Sequence, residues 1–196
     1  MKIAIIGSGN VGSAVAKGAK SAGHDVVVTS AGGDMSNAEA VRGADIVVLA
    51  VPYGAVSEVA AEIAGEVRGT TIVDATNPLT DDYSGLVTEG GASGAERIQQ
   101  QLPGAKVVKA FNTVFAANQD SGQVDGVQLD GLVAGDDAEA KQQVLDLLAQ
   151  FGFRPIDAGG LSAARHLEAL GFLNISLNAA NGWQWRTGWK LVGPTT

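Results

Sequence analysis

Gly7-Ser8-Gly9-Asn10-Val11-Gly12 is the segment whose residue types and spacing point most directly to chemistry, and that chemistry is the binding of a dinucleotide pyrophosphate. Each glycine meets a separate demand. Gly7 lets the chain turn sharply off a strand, Gly9 lets backbone N–H groups approach the phosphates, and Gly12 lets a helix pack closely on a sheet. The phosphates then face unpaired amides at the positive end of a helix dipole. A glycine-rich turn of purely structural use is the rival reading. It is disfavoured by the flanks, an apolar β-branched run over 2–6 and helical spacing over 13–22.

A second group lies about twenty residues past the glycines, where an NAD-preferring domain places Asp or Glu on the adenine ribose. Here stand Thr29, Ser30 and Ala31. Two small hydroxyls and free backbone N–H groups accept a 2′-phosphate without charge repulsion, which favours NADP over NAD, although no Arg follows to neutralise it. Ala50-Val51-Pro52 and Ala75-Thr76-Asn77-Pro78 end two later strands and are expected to wall the nicotinamide half. Phe111-Asn112-Thr113 offers an amide and a hydroxyl to orient the nicotinamide or a second substrate. Asn112 and Thr113 are therefore read as positioning residues, and no residue is assigned as catalytic. The bland alternative is that Asn77 and Asn112 only tie down their own turns. Asp81-Asp82 reads as a solvated turn and His24 as a helix-end partner.

Zero cysteines and two histidines exclude disulfides, thiol catalysis and a thiolate or His-rich metal site. No Ser-His-Asp set is present either. That inventory suits hydride transfer between two bound rings, where the cofactors carry the chemistry and the protein holds the reacting carbons about 3 to 3.5 Å apart.

The elements that must position these residues alternate strand and helix, the pattern of a Rossmann-type, doubly wound, mainly parallel α/β sheet with a C-terminal helical element. Strands are expected over 2–6, 26–29, 45–51, 70–75, 106–110, 127–134 and 153–157. The second is read as buried on both faces, and 127–134 as one strand with a possible kink at Asp130-Gly131. Helices are expected over 13–22, 37–42, 53–66, 93–102, 138–150 and 162–181. The last carries Leu167, Leu170, Phe172, Leu173, Ile175 and Leu177 and is apolar on nearly every side except a stripe of Asn174, Asn178 and Asn181. A helix of that composition is expected to be buried, against this sheet or a second copy, and a homodimer is favoured. Residues 1–160 are read as the dinucleotide-binding domain and 161–196 as a C-terminal helix and tail that pack on the sheet and at the dimer interface. The tail holds all three tryptophans, Trp183, Trp185 and Trp189, for core or dimer packing or as an aromatic wall for the second substrate.

A net charge of −8 with scattered basic residues disfavours nucleic acid and anionic membrane as partners. No apolar run approaches the roughly 20 residues of a membrane span. Met1 leads at once into a strand, so a signal peptide is not expected and a cytoplasmic location is.

The same turns carry a resemblance. The glycine motif, Ala50-Val51-Pro52, Asp74 to Leu79, Lys109-Ala110-Phe111-Asn112-Thr113 and the run from Arg154 to Ser162, followed by Arg165 and Glu168, are similar to the NADP-dependent oxidoreductases that use the deazaflavin coenzyme F-420. The resemblance implies hydride exchange between NADP(H) and a deazaflavin or flavin-like acceptor. It implies that Ser8, Gly9, Asn10 and Val11 hold the pyrophosphate, Ser30 the 2′-phosphate, and Val51, Ala75 and Ala116 the rest of NADP. It also implies a dimer through the C-terminal helix. Where the family carries Arg after that Ser, this chain has Ala31. Three rivals remain: an NADPH-dependent reductase of a small imine or carbonyl, a relative of the cytoplasmic reductase domain of membrane metalloreductases, a role that needs a separate partner, and a non-enzymatic NADP(H) sensor.

Overall fold

The computed structural model describes residues 1–194. Strand β1 (Lys2–Ile6) leads into helix α1 (Asn10–Ser21), followed by β2 (Asp25–Thr29), α2 (Asn37–Val41), β3 (Ile46–Leu49), α3 (Val56–Ile63) and β4 (Thr71–Asp74). Next come α4 (Gly94–Gln101), β5 (Lys106–Lys109), α5 (Ala116–Gln119), a small hairpin of β6 (Gln123–Val124) and β7 (Val127–Gln128), β8 (Asp130–Gly135), α6 (Ala138–Gln150), β9 (Arg154–Asp157) and α7 (Ala164–Asn181).

Seven strands form one sheet in the order β2-β1-β3-β4-β5-β8-β9, with β1 to β5 parallel and β8 antiparallel to β5. Successive side chains on a strand point to opposite faces, so β1 feeds two cores. Ile3 and Ile5 pack with Val15 of α1 and Val144 and Leu148 of α6. Ala4 and Ile6 pack on the other face with Val59 and Ile63 of α3 and Ile98 of α4. Helices on both faces make the sheet doubly wound. The strand order reverses at β1, which has β2 on one side and β3 on the other, and ligands of open parallel sheets bind outside the carboxyl ends of the strands at such a switch point.

Two expectations need correction. Strand β2 is not buried on both faces, because it is the sheet edge and the five-residue α2 covers little of it; only Thr29 is buried. The segment 127–134 is not one strand. Its first two residues belong to the β6–β7 hairpin, and pairing switches at Leu129, whose N–H donates to Gly122 O while its carbonyl accepts from Arg154 N.

Helix α7 meets the rest of the chain with a side its composition does not single out. Its buried residues are Ala164, Leu167, Glu168, Gly171, Asn174 and Asn178, while Leu173 stays 46% exposed and Leu177 37%. Asn174 and Asn178 pack inward, Asn181 stays exposed, and of the apolar residues Leu167 is buried while Leu173 and Leu177 face out. The reason lies in the surface it meets, the exit turns of β4 and β5, whose polar groups require hydrogen-bonding partners. No helix among the described residues is long and apolar enough to cross a membrane.

Candidate active site

The site is built where the turns leaving β1, β3, β4 and β5 meet. At the first, Gly7 adopts φ +113°, and a Cβ there would lie 2.3 Å from Ala50 O. A Cβ on Gly12 would lie 1.9 Å from Gly7 O, so α1 approaches β1 as only glycine permits. Gly9 differs: a Cβ would meet nothing within 4 Å. The protein's own packing does not demand glycine there. Gly9 is also the N-cap of α1 and supplies no side-chain acceptor, so the first-turn amides open onto free space, as an anion seat requires.

From this turn three clefts run along the carboxyl edge. One, beneath β2, is lined by Gly7, Thr29, Ser30, Asn37, Glu58 and Glu62. The Thr29 hydroxyl is already committed, donating to Asn37 Oδ1 at 2.7 Å, so Ser30 is the hydroxyl left to a ligand. Glu58 and Glu62 are the charged residues lining that cleft. The middle cleft lies among Val11, Ala50, Val51, Pro52, Ala75 and Asn77. The third is a mainly apolar cavity of about 780 Å³ bounded by Val11, Asn112, Thr113, Phe115, Ile175 and Trp185. Ala116 lines this cavity and is not among the residues of the middle cleft.

Asn77 and Asn112 bridge the exit turns of β4 and β5. Asn77 Nδ2 donates to Asn112 O, and Asn112 Nδ2 donates to Asn77 Oδ1 and, at 2.9 Å, to Leu167 O on α7. Their amide groups are thus largely spent on cross-linking turns. Asn112 Oδ1 is the exception, a buried acceptor beside the cavity with no hydrogen-bond partner, which a ligand N–H or a water would satisfy. Helix α7 meets this pair through Gly171, where a Cβ would lie 2.6 Å from Asn77 Oδ1 and 2.9 Å from Asn112 O. Phe111 takes φ +66°, which turns the chain into Asn112 and Thr113, and the Gln119 amide of α5 pins its carbonyl and that of Val114.

Beneath the turns lies a buried charge cluster that local pattern reading does not assemble. Lys109 Nζ donates to Asp74 Oδ2 at 2.8 Å and Thr76 O at 2.6 Å, and stands 3.3 Å from Glu168 Oε1. Asp74 also accepts from Thr76 N and Oγ1, and Glu168 from Gly94 N and Ala95 N at the start of α4. One cation thereby ties β4, β5 and α7 together under the site. The available signal was that Asp74 and Lys109 close two otherwise buried strands, where a charge must find a partner. Nor does local pattern single out Tyr83 or Gly171. Tyr83, φ +59°, lines both the middle cleft and the cavity from the loop after β4.

The Asp81-Asp82 turn is self-contained, with Thr80 and Ser84 donating to Asp82 and holding its carboxyl down at about 2. His24 Nε2 meets Gln150 Oε1. Among the described residues no group of three metal-ligating side chains converges.

A family model described as NADP oxidoreductase, coenzyme F420-dependent, matches residues 2–34 and 31–78. The F420-dependent NADP reductase of Methanothermobacter thermautotrophicus is 34% identical over 215 residues, spanning 92% of this chain and 90% of that one. This chain belongs to the F420-dependent NADP reductase family. The F420-dependent NADP reductase of Methanocaldococcus jannaschii is 35% identical over 150 residues, 74% of this chain, and the match spans 66% of that relative's length. A crystal structure of an Arthrobacter sp. FB24 protein assigned as an F420-dependent NADP reductase superposes with a TM-score of 0.89 at 29% identity, covering 98% of this chain and 100% of that one.

The F420-dependent NADP reductase model takes in the Gly7 turn, Ser30, Val51 and Asn77, whereas Asn112, Thr113, α7 and the tail lie beyond the residues it matches. The full-length likeness to the Arthrobacter structure extends the reductase architecture over those later elements as well.

Proposed function

We propose that this chain exchanges a hydride between NADP(H) and a deazaflavin or flavin-like ring of the coenzyme F-420 type. The observation that carries this reading is the adjacency of the middle cleft and the apolar cavity, which share Val11, Asn77 and Tyr83 as common walls. A nicotinamide in the first and a conjugated ring in the second would be neighbours. The open space over Gly9 fits a pyrophosphate held by the amides of Ser8, Gly9, Asn10 and Val11. Ser30 takes the 2′-phosphate, and Ala50, Val51, Pro52, Ala75 and Asn77 wall the nicotinamide ribose and ring. Bound NADPH supplies the hydride, and the acceptor takes it together with a proton from solvent.

The residues of the chain then contribute placement and exclusion of water. Asn77 and Asn112 fix the spacing of two turns, Thr113 borders the cavity, and the apolar lining keeps the developing charges in a dry space. Residues 1–160 carry the nucleotide, and α7 with the tail completes the second-ring site. The outward Leu173 and Leu177 of α7 support a homodimer through that helix, and the chain acts in the cytoplasm. Stopped-flow mixing of the enzyme and NADPH with an oxidised 5-deazaflavin, and separately with riboflavin, tests the reading. Loss of NADPH absorbance on mixing is expected; none with either acceptor overturns it.

A further inference from the structure

The tail after α7 is held far more firmly than an exposed terminus needs. Gly182, φ +64°, ends the helix, and Asn178 O accepts from Trp183 N. The buried Asn174 and Asn178 side chains then grip the next residues: Thr187 Oγ1 donates to Asn174 Oδ1 at 2.6 Å, Asn178 Nδ2 donates to Thr187 Oγ1 at 2.6 Å, and Asn178 Oδ1 accepts from Trp185 N at 3.2 Å. Asn118 Nδ2 holds Arg186 O at 2.8 Å. Farther on, the buried Asp130 accepts from Leu191 N and from Arg154, and its own N–H donates to Trp189 O.

Between these clamps Trp185 sits at φ +57°, a left-handed backbone that a bulky side chain rarely adopts. Trp185 nevertheless remains 46% exposed, on the cavity, with the Phe115 ring perpendicular to its own at 5.5 Å and 87°. Packing alone does not call for this arrangement, since a tryptophan recruited for the core would be covered. Here the backbone is over-determined and the ring is left open.

We infer that Trp185, braced by Phe115, is the stacking surface for the flat conjugated ring of the hydride acceptor. The inference deepens the hydride-exchange reading and rests on it. An indole face offers area and polarisability to an extended ring, while a perpendicular Phe limits how far the guest can slide. Such a surface suits a tricyclic deazaflavin or flavin and has little use for a small imine. The buried pair Asn174 and Asn178 then has a purpose: it sets the tail so that the indole stands over the cavity.

Titration of the protein with 5-deazariboflavin, followed by tryptophan emission, is the direct test, with steady-state kinetics beside it. Trp185→Ala is expected to raise the acceptor KM at least about tenfold, the scale of one lost stacking contact, while the Kd for NADPH stays within about twofold. Trp185→Phe restores most of the loss, and the ring-induced quenching seen in the wild type shrinks in both variants. Should Trp185→Ala lower the melting temperature sharply, Trp185→Leu, which keeps apolar bulk without a ring face, and Phe115→Leu carry the decision through the same two readouts. Wild-type acceptor KM and quenching in these variants, with turnover intact, overturn the stacking assignment alone. Absence of NADPH oxidation by the wild type with any ring acceptor overturns the underlying reading instead.

Discussion

Asn77 and Asn112 clasp each other across the carboxyl edge of the sheet, each donating its side-chain amide to the other residue at 3.0 Å. One stands after β4 and the other after β5, so the clasp sets the distance between two walls of the site. Asn112→Ala removes both bonds made by its Nδ2, including the one to Leu167 O, and leaves Asn77 Oδ1 unpaired. We expect a loss of about 1 to 3 kcal/mol of stability in denaturant titrations. We also expect kcat to fall by on the order of a hundredfold, the cost of a displacement near 1 Å, with a smaller change in NADPH affinity. Unchanged kcat would show that the clasp does not set the reacting geometry.

Helix α7 can lie against that clasp only because residue 171 is glycine. The methyl of Gly171→Ala would press on Asn77 Oδ1 and on the Asn112 backbone, which cannot yield as a flexible side-chain tip does. Overpacking of this kind costs about 1 to 3 kcal/mol. The expected result is a lowered melting temperature and a turnover defect resembling that of Asn112→Ala. A double variant less than additive in both readouts, measured as a mutant cycle, would place the two changes on one contact.

Lys109 supports the floor. Lys109→Met would leave the carboxylates of Asp74 and Glu168 buried without their shared cation, and breaking such a pair costs about 3 to 5 kcal/mol. Urea denaturation should register it, with Lys109→Met/Asp74→Asn partly restored because one stranded charge is gone. A neutral Lys109→Met would mean that the cluster adds nothing to the fold.

The cleft beneath β2 offers Ser30 to a 2′-phosphate but lines itself with Glu58 and Glu62. Ala31→Arg places a guanidinium beside Ser30, and a charge-assisted bond there should raise the NADPH-over-NADH preference by about tenfold. Comparison of kcat/KM for the two nucleotides in wild type and variant checks this. An unaltered ratio would move the 2′-phosphate seat elsewhere.

Glu96 closes the capping box of α4 and receives both Nε and Nη2 of Arg165 on α7. The Arg165 hydrogen bonds lead the causes that hold its carboxyl at about 2, below the ordinary 4.5. A depressed folded-state pKa stabilises above the unfolded value, so the contribution is complete above about 4.5 and disappears as pH falls toward about 2. The melting-temperature gap between wild type and Arg165→Met should therefore be widest near neutral pH and close in acid. A gap independent of pH would separate the pair from acid stability.

The sequence by itself determined what depends on near neighbours along the chain. The turn at Gly7 with its φ of +113°, the α2 and α4 capping boxes at Ser36 and Ser93, and the alternation of β1 side chains between two faces all follow from backbone geometry and side chains within a few positions. Only the tertiary structure decided which stripe of α7 turns inward, why Lys109 can be buried, and where Trp185 stands. Counting apolar residues on α7 predicts burial against the sheet or a second copy and does not say which residues meet the sheet. The carboxyl edge that receives the helix instead presents the Asn77 and Asn112 amides and the Thr113 carbonyl, and the returning tail adds the Thr187 hydroxyl, so Asn174 and Asn178 pack there and Leu173 does not. Those partners come from distant segments, and a buried polar group is tolerated only where such partners converge.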